Sequence, residues 1–307
     1  MVQRTRIPRS EALLYSKSPA APKTRRRIDN LQKGHPMINV LGTVQALIAI
    51  VPAIILCVMI YRMDKVEKEP VGLIILTFIL GGVAAAPILV CEIAVDAALG
   101  WLKYQGPLGM LLFMLLGVAL IEEFFKLMAT MPAYKSRHFN YTFDGVVYCA
   151  SAALGYACLE NILYIVGDPS WMNTAVVRGV LAVPGHMCDG IFMGVFLGMA
   201  KYYSVRGMKA KSWGFVGLCL AAPITEHMIY DTLCQFGTLY VLLWSVFVYV
   251  MAFIAVGMTK GKHDKPIFFD PRVSPYSNQY WQRAPYFDNP RHPYQQDIAA
   301  QYQQPRR

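Results

Sequence analysis

Apolar residues run through this chain in blocks of about twenty, separated by short polar stretches. Seven blocks stand out, at about 38–61, 71–95, 107–130, 144–166, 174–203, 214–235 and 238–259. Roughly 20 apolar residues in helical form cross the hydrocarbon core of a bilayer, so each block predicts a membrane span. The punctuation is polar: RMDKVEKEP at 62–70, AYKSRHFN at 133–140, GDPS at 167–170 and KYYSVRGMKAKS at 201–212. Blocks six and seven abut at Gly237, which predicts a tight helical hairpin. The first block is too long for the core of a signal peptide and has no small-residue cleavage site. The expected fold is all-α, a polytopic membrane protein of about seven transmembrane helices. No internal repeat of the inverted-transporter kind is visible.

Composition agrees with the pattern. Of 307 residues, 55% are apolar and 16% charged, against roughly 25% charged in a typical soluble domain. The formal net charge of +10 sits in the tails. Residues 1–36 hold nine Lys/Arg against two acids, and the stretch from 260 on holds eight against four. With a near-neutral apolar centre, this basicity points to a membrane surface rather than to nucleic acid. Three segments follow: a basic N-terminal tail over 1–36, a membrane domain over 37–262, and a Pro/Gln/Tyr-rich tail over 263–307. The last has no helical period and reads as disordered and cytoplasmic. The seven cysteines fall in or beside apolar blocks with no CxxC pair, which suits buried thiols better than a disulfide framework or a zinc knuckle.

Positive charge also sets orientation. The loops after spans one, three and five hold Arg62, Lys65 and Lys68; Lys135 and Arg137; and Lys201, Arg206, Lys209 and Lys211, whereas the intervening loops hold only Lys103. Loops one, three and five and the C-terminal tail are therefore expected in the cytoplasm. The basic N-terminal tail runs against this, which is reconciled if the native start is Met37 and residues 1–36 are an over-long gene start.

The informative residues are charges where lipid forbids them: Glu122, Glu123, Lys126, Glu160, Arg178, Asp189, Glu226 and Asp231, with His186 and His227. Unpaired, each charge costs about 2.5–3.5 kcal/mol at mid-membrane. Together they would exceed a fold's net stability of about 5–15 kcal/mol. They must face inward and satisfy one another, and an intramembrane ionisable residue is a functional candidate by default.

Span three carries Glu122 and Glu123 within helical reach of Lys126, so one cation can brace both acids. Adjacent acids in a dry site do not titrate alike, which suits a general base acting on water. A structural ion pair is the plainer reading. In span four, Tyr156, Glu160 and Tyr164 share one helix face, with Asn161 beside it. Glu160 is equally a partner for Arg178. Pro184 interrupts the ladder of span five near His186. In span six, His227 and Asp231 are four apart, with Tyr230 between them, and Pro223 lies a turn earlier. Two histidines on separate proline-bearing spans, with Glu160 between them in the chain, make a possible zinc set that keeps a position for water. No HExxH is present, so this set depends on helices converging.

These segments together resemble the PrsW family of intramembrane proteases. The matching pieces are EEFFK at 122–126, FDGVVYCASAALGYACLENILY at 143–164, the run from Arg178 to His186, and HMIYD at 227–231, with MIYRMDKVEKEP at 59–70 similar to the family's first span and loop. The likeness covers about 37–262. It implies a bacterial cell (inner) membrane protein that cleaves a single-pass membrane substrate of the anti-sigma factor class. It also implies a metallopeptidase, distantly similar to the proteases that trim prenylated CAAX proteins. By position, the resemblance implies Glu122, Glu123 and His227 as catalytic, and places Glu160 and His186 in the two middle motifs. Glu226 and the long tails depart from the family pattern.

The combined expectation is a membrane-embedded peptidase. Glu122 or Glu123 is the base. Glu160, His186 and His227 hold a divalent metal, zinc first, or the histidines serve as oxyanion donors without one. Lys126, Asn161, Arg178, Tyr230 and Asp231 support the site. The bilayer is a partner and nucleic acid is not. The rival is a proton- or ion-coupled transporter, because proton relays use the same residue types. The prolines do not pair symmetrically as broken transporter helices would. A retinal receptor needs a lysine in the last span, and 238–259 has none.

Overall fold

The structure, a computed structural model, describes residues 36–166 and 168–268, with side chains from residue 43 on. The N-terminal tail with its expected alternative start, and the C-terminal tail from 269, lie outside the described residues. Seven helical rods occur in chain order: α1 (Pro36–Met63), α2 (Val71–Leu99), α3 (Gly106–Lys135), α4 (Asp144–Ile165), α5 (Trp171–Val205), α6 (Lys209–Cys234) and α7 (Thr238–Thr259). Among the described residues there is no strand, only an isolated bridge between Tyr141 and Pro266. Six rods are long and apolar enough to cross a membrane. The exception is α6, where Thr225, Glu226, His227, Tyr230, Asp231 and Thr232 crowd one end. These polar side chains lower its hydropathy. The α6–α7 hairpin turns at Gly237, whose φ of +133° is one that L side chains rarely adopt.

The chain divides into two compact units, 1–45 and 46–307, and the packing that follows is that of the second. Its centre is α4. Of the apolar window of α4, 78% is buried, against 22% for α1 and 28% for α7. The cause is small residues at the crossings, which let backbones touch without an apolar driving force between helices. A Cβ on Gly155 would lie 1.9 Å from Phe78 O on α2, and one on Gly145 would lie 2.2 Å from Gly194 O on α5. Tight crossings draw α2 and α5 onto α4.

Two rods are interrupted next to charged residues. In α3 a π-turn over Leu115–Ala119 precedes Glu122 and Glu123. Such bulges shift the register of the side chains that follow and recur at functional sites. In α5 the helix breaks at Leu181. Pro184 has no N–H for the carbonyl of Val180, four residues back. The Tyr249 hydroxyl on α7 supplies the missing donor, 2.9 Å from Val180 O and 3.0 Å from Leu181 O. By contrast, α6 is unbroken through Pro223.

Loops one and three and the start of the C-terminal tail meet on one face. Asn140 Nδ2 donates to Glu67 Oε2 at 2.9 Å, and Asp264 Oδ1 accepts from Thr142 Oγ1 at 3.0 Å and Phe143 N at 2.9 Å. Ile267 is fully buried, and Arg206 reaches its carbonyl at 3.1 Å. The expectation of disorder from 263 is therefore corrected for 263–268. A buried isoleucine and a carboxylate that caps the entry to α4 hold that segment down.

Gly155→Ala is expected to cost about 1–3 kcal/mol by overpacking and to lower the unfolding temperature in detergent. Gly214→Ala, where an added Cβ meets nothing within 4 Å, should be neutral or gain up to about 1 kcal/mol from helix propensity. Equal responses in the two melting curves would refute the backbone contact between α2 and α4.

Candidate active site

Sequence neighbours on α3 become the floor of a buried polar cluster. Lys126 is fully buried, and its ammonium donates to Glu122 Oε2 at 2.9 Å, Glu123 Oε1 at 2.7 Å and His186 Nδ1 at 3.0 Å. The first two contacts are the i,i+4 and i,i+3 pairs of a helix. The third crosses to α5. The ammonium also lies 4.6 Å from the centroid of the Tyr156 ring on α4. One buried cation thus compensates two acids and orients one histidine.

The two histidines face each other, ring centroids 5.4 Å apart. His227 Nδ1 is 2.9 Å from Glu123 Oε1. An ionised carboxylate only accepts, so Nδ1 carries a proton. Nε2 faces Asp231 Oδ2 at 3.3 Å and lies 3.8 Å from Glu122 Oε2. In His186 the proton is on Nε2. Its Nε2 donates to Glu160 Oε2 at 2.9 Å, and its Nδ1 accepts from Lys126. Glu160 Oε2 also accepts from Arg178 Nη2 at 2.6 Å, while Arg178 Nε donates to Asn161 Oδ1 at 2.7 Å. The Arg178 guanidinium lies over the Tyr164 ring, 3.9 Å from its centroid. Arg178 ties α5 to α4 and, through Glu160, fixes the His186 ring.

A cavity of about 960 Å³ opens on this cluster, lined by residues of α2 to α6. It separates the glutamate pair. Glu122 lines the cavity with Glu160, Arg178, His186, His227, Tyr230 and Asp231, and Glu123 does not. Glu123 has no exposed surface and lies behind His227. The cavity reaches Asp96 and Lys103, which form an ion pair past the end of α2, on the side away from loops one, three and five. Glu92, half-way into the cavity wall from α2, is a residue that the sequence reading passed over. Its only signal was a lone acid in an otherwise apolar run. Asp189 and Glu226 are buried and also line the cavity, so Glu226 is averted from lipid, and both stand outside the cluster of metal-competent atoms.

The donor set suits a divalent metal. Glu122, Glu123, His186 and His227 each offer a ligand atom, all within 4.8 Å of one another. Glu123 Oε2 is buried without a hydrogen-bond partner, and an orphaned buried carboxylate oxygen is costly unless a cation meets it. Two carboxylates and two imidazoles match zinc's usual ligands. Glu160, expected in the metal set, is not one of the four. It is engaged by Arg178 and His186. His186 can ligate through Nδ1 only if Lys126 withdraws from that nitrogen.

Removing the central cation leaves two buried carboxylates uncompensated. Lys126→Met is expected to destabilise by about 3–5 kcal/mol, more than Arg178→Met at the partly exposed cavity wall. Denaturant or thermal unfolding of both variants checks the order, and a stable Lys126→Met protein would refute the central role of the ammonium.

Comparison with known proteins identifies the family. The profile described as PrsW family intramembrane metalloprotease matches residues 69–258. A protease named PrsW from Oceanobacillus iheyensis is 32% identical over 219 residues, 71% of this chain and 95% of its own. One from Halalkalibacterium halodurans is 34% identical, covering 66% and 86%. One from Bacillus subtilis is 33% identical, covering 59% and 78%. No solved structure matches the chain.

Proposed function

The chain belongs to the PrsW family of intramembrane proteases and is a multi-pass membrane protein, and from that premise we propose that it hydrolyses a peptide bond in a single-pass membrane protein of the anti-sigma factor class, in the bacterial inner membrane. The observation that carries the reading is the division of the glutamate pair, with Glu122 on the cavity and Glu123 behind His227. A pair serving only as a structural tie to Lys126 would have no reason to expose one member to a wet cavity inside the bundle.

Glu122 is the general base. Its carboxylate faces the cavity, where it takes a proton from water and returns it to the departing amine. Glu123 is the positioning acid: by accepting from Nδ1 it aims Nε2 of His227 into the cavity. Glu160 does the same for His186 from the opposite side, and Arg178 with Asn161 holds Glu160. Asp231 and Tyr230 line the wall beside His227. Tyr156, which lines the cavity with Glu122, is a candidate donor to developing negative charge. The proposed metal set is drawn from the grouped residues Glu122, Glu123, His186 and His227, in place of the Glu160, His186 and His227 set read from the sequence. A zinc ion there would polarise the scissile carbonyl and acidify bound water.

The test is cleavage of a single-span bait by purified protein, with zinc per chain measured alongside. Glu122→Gln is expected to lower turnover by about 10²–10⁴ with metal content and melting temperature kept. His227→Ala should lose both zinc and cleavage. Glu160→Gln should keep zinc and lose part of the rate. Near-wild-type cleavage by Glu122→Gln overturns the assignment of the base. Metal-free protein that still cleaves overturns the metal set and makes the histidines oxyanion donors.

A further inference from the structure

At the opposite end of the bundle from the cavity lies a second convergence of acids that the proposed chemistry does not use. Asp64 follows α1, Glu69 ends loop one, and Asp144 opens α4. They are 1%, 2% and 1% exposed. Each offers a carboxylate oxygen within 4.8 Å of the others. Oxygens on opposite sides of a Ca²⁺ ion lie about 4.6–5.2 Å apart, and about 4.0–4.2 Å apart around Mg²⁺, so the spacing is that of one coordination sphere.

The hydrogen bonds account for only part of each group. Asp144 Oδ2 accepts from Asn140 N and Tyr141 N, both at 2.7 Å. Glu69 Oε2 accepts from the Tyr148 hydroxyl. Asp64 Oδ1 accepts from Val66 N at 3.2 Å. Asp64 Oδ2 is buried with no partner, and so is Oδ1 of Asn140, the residue that caps Asp144. Carboxylate oxygens of Glu69 and Asp144 lie within 4.8 Å of each other, and two buried carboxylates that close repel unless a proton or a cation lies between them. The neighbouring ammoniums are committed elsewhere: Lys68 to the carbonyls of Tyr61 and Asp64, Lys201 to Tyr134 O at 2.6 Å and Phe139 O at 2.9 Å.

We propose that Asp64, Glu69 and Asp144 form a second cation site, selective for a hard divalent ion of the Mg²⁺ and Ca²⁺ class. Its ligands are all oxygen, which excludes the softer preference of the histidine site. The ion ties loop one to the first turn of α4, the helix on which the bundle packs, and so acts on stability rather than on the reacting atoms.

The experiment uses the full-length protein in detergent, stripped with chelator and titrated with Ca²⁺, Mg²⁺ and Mn²⁺ by calorimetry and by melting temperature. One ion per chain with a rise in melting temperature is expected, with affinity weakened at least about tenfold in Asp64→Asn and Glu69→Gln. His186→Ala and His227→Ala should leave this binding intact, so failure here and failure of the protease assignment are read separately. If the acid variants do not fold, Tb³⁺ luminescence excited through tyrosine in the wild-type protein, and its quenching by Ca²⁺, gives the same readout. No binding and no shift up to about 10 mM, above the weakest Ca²⁺ modules, overturns the site. A proton shared by Glu69 and Asp144 is then its whole content.

Discussion

The buried polar cluster that faces the cavity is built around the Lys126 ammonium. A charge in an apolar interior is tolerated only when paired and hydrogen-bonded, and here one buried cation meets two carboxylates of its own helix and an imidazole from another. That arrangement fixes the side chains of Glu122, Glu123 and His186 relative to one another. From them the order passes outward: Glu123 fixes His227, His186 meets Glu160, and Glu160 meets Arg178. Each group is held by the next.

The apolar scaffold is built to permit that cluster. Close backbone contacts at Gly155 and Gly145 bring α2 and α5 onto α4, so charged side chains from several helices converge within a few ångströms. The price of placing His186 beside a proline is a broken turn in α5, and the Tyr249 hydroxyl offsets it by donating to the Val180 carbonyl that Pro184 leaves bare. The π-turn in α3 is a comparable device, a local departure from regular helix one turn ahead of the glutamate pair. Irregular backbone is tolerable at membrane depth only where protein or a wet cavity satisfies it, and both irregularities lie in such places.

The two ends of the molecule are organised differently. Away from the basic loops, the bundle opens into a cavity with charged walls. On the loop face it is closed by loop one, loop three and residues 263–268, which bury Ile267 and use Asp264 to cap the start of α4. The cavity end is open, and the loop end is fastened by hydrogen bonds between distant segments.

Much of this was legible in the residues. Twenty-residue apolar blocks specify helices in a membrane because unsatisfied backbone groups cannot stay in lipid. The charges inside them announce a polar interior because no single one is tolerable alone. The pairing of Lys126 with Glu122 and Glu123 is local and follows from helical spacing. What crosses between helices was open. Sequence spacing cannot tell Glu122 from Glu123, because which of two adjacent side chains faces a cavity depends on helix rotation, and the π-turn alters it. Nor could it place Glu160 with Arg178 and His186 rather than with Glu122, Glu123 and His227, or show that Asp64, Glu69 and Asp144 meet. The sequence by itself determined the helices and the need for their charges to find partners. The tertiary structure decided which partners, because that choice rests on distances of three to five ångströms set by close packing between segments far apart in the chain.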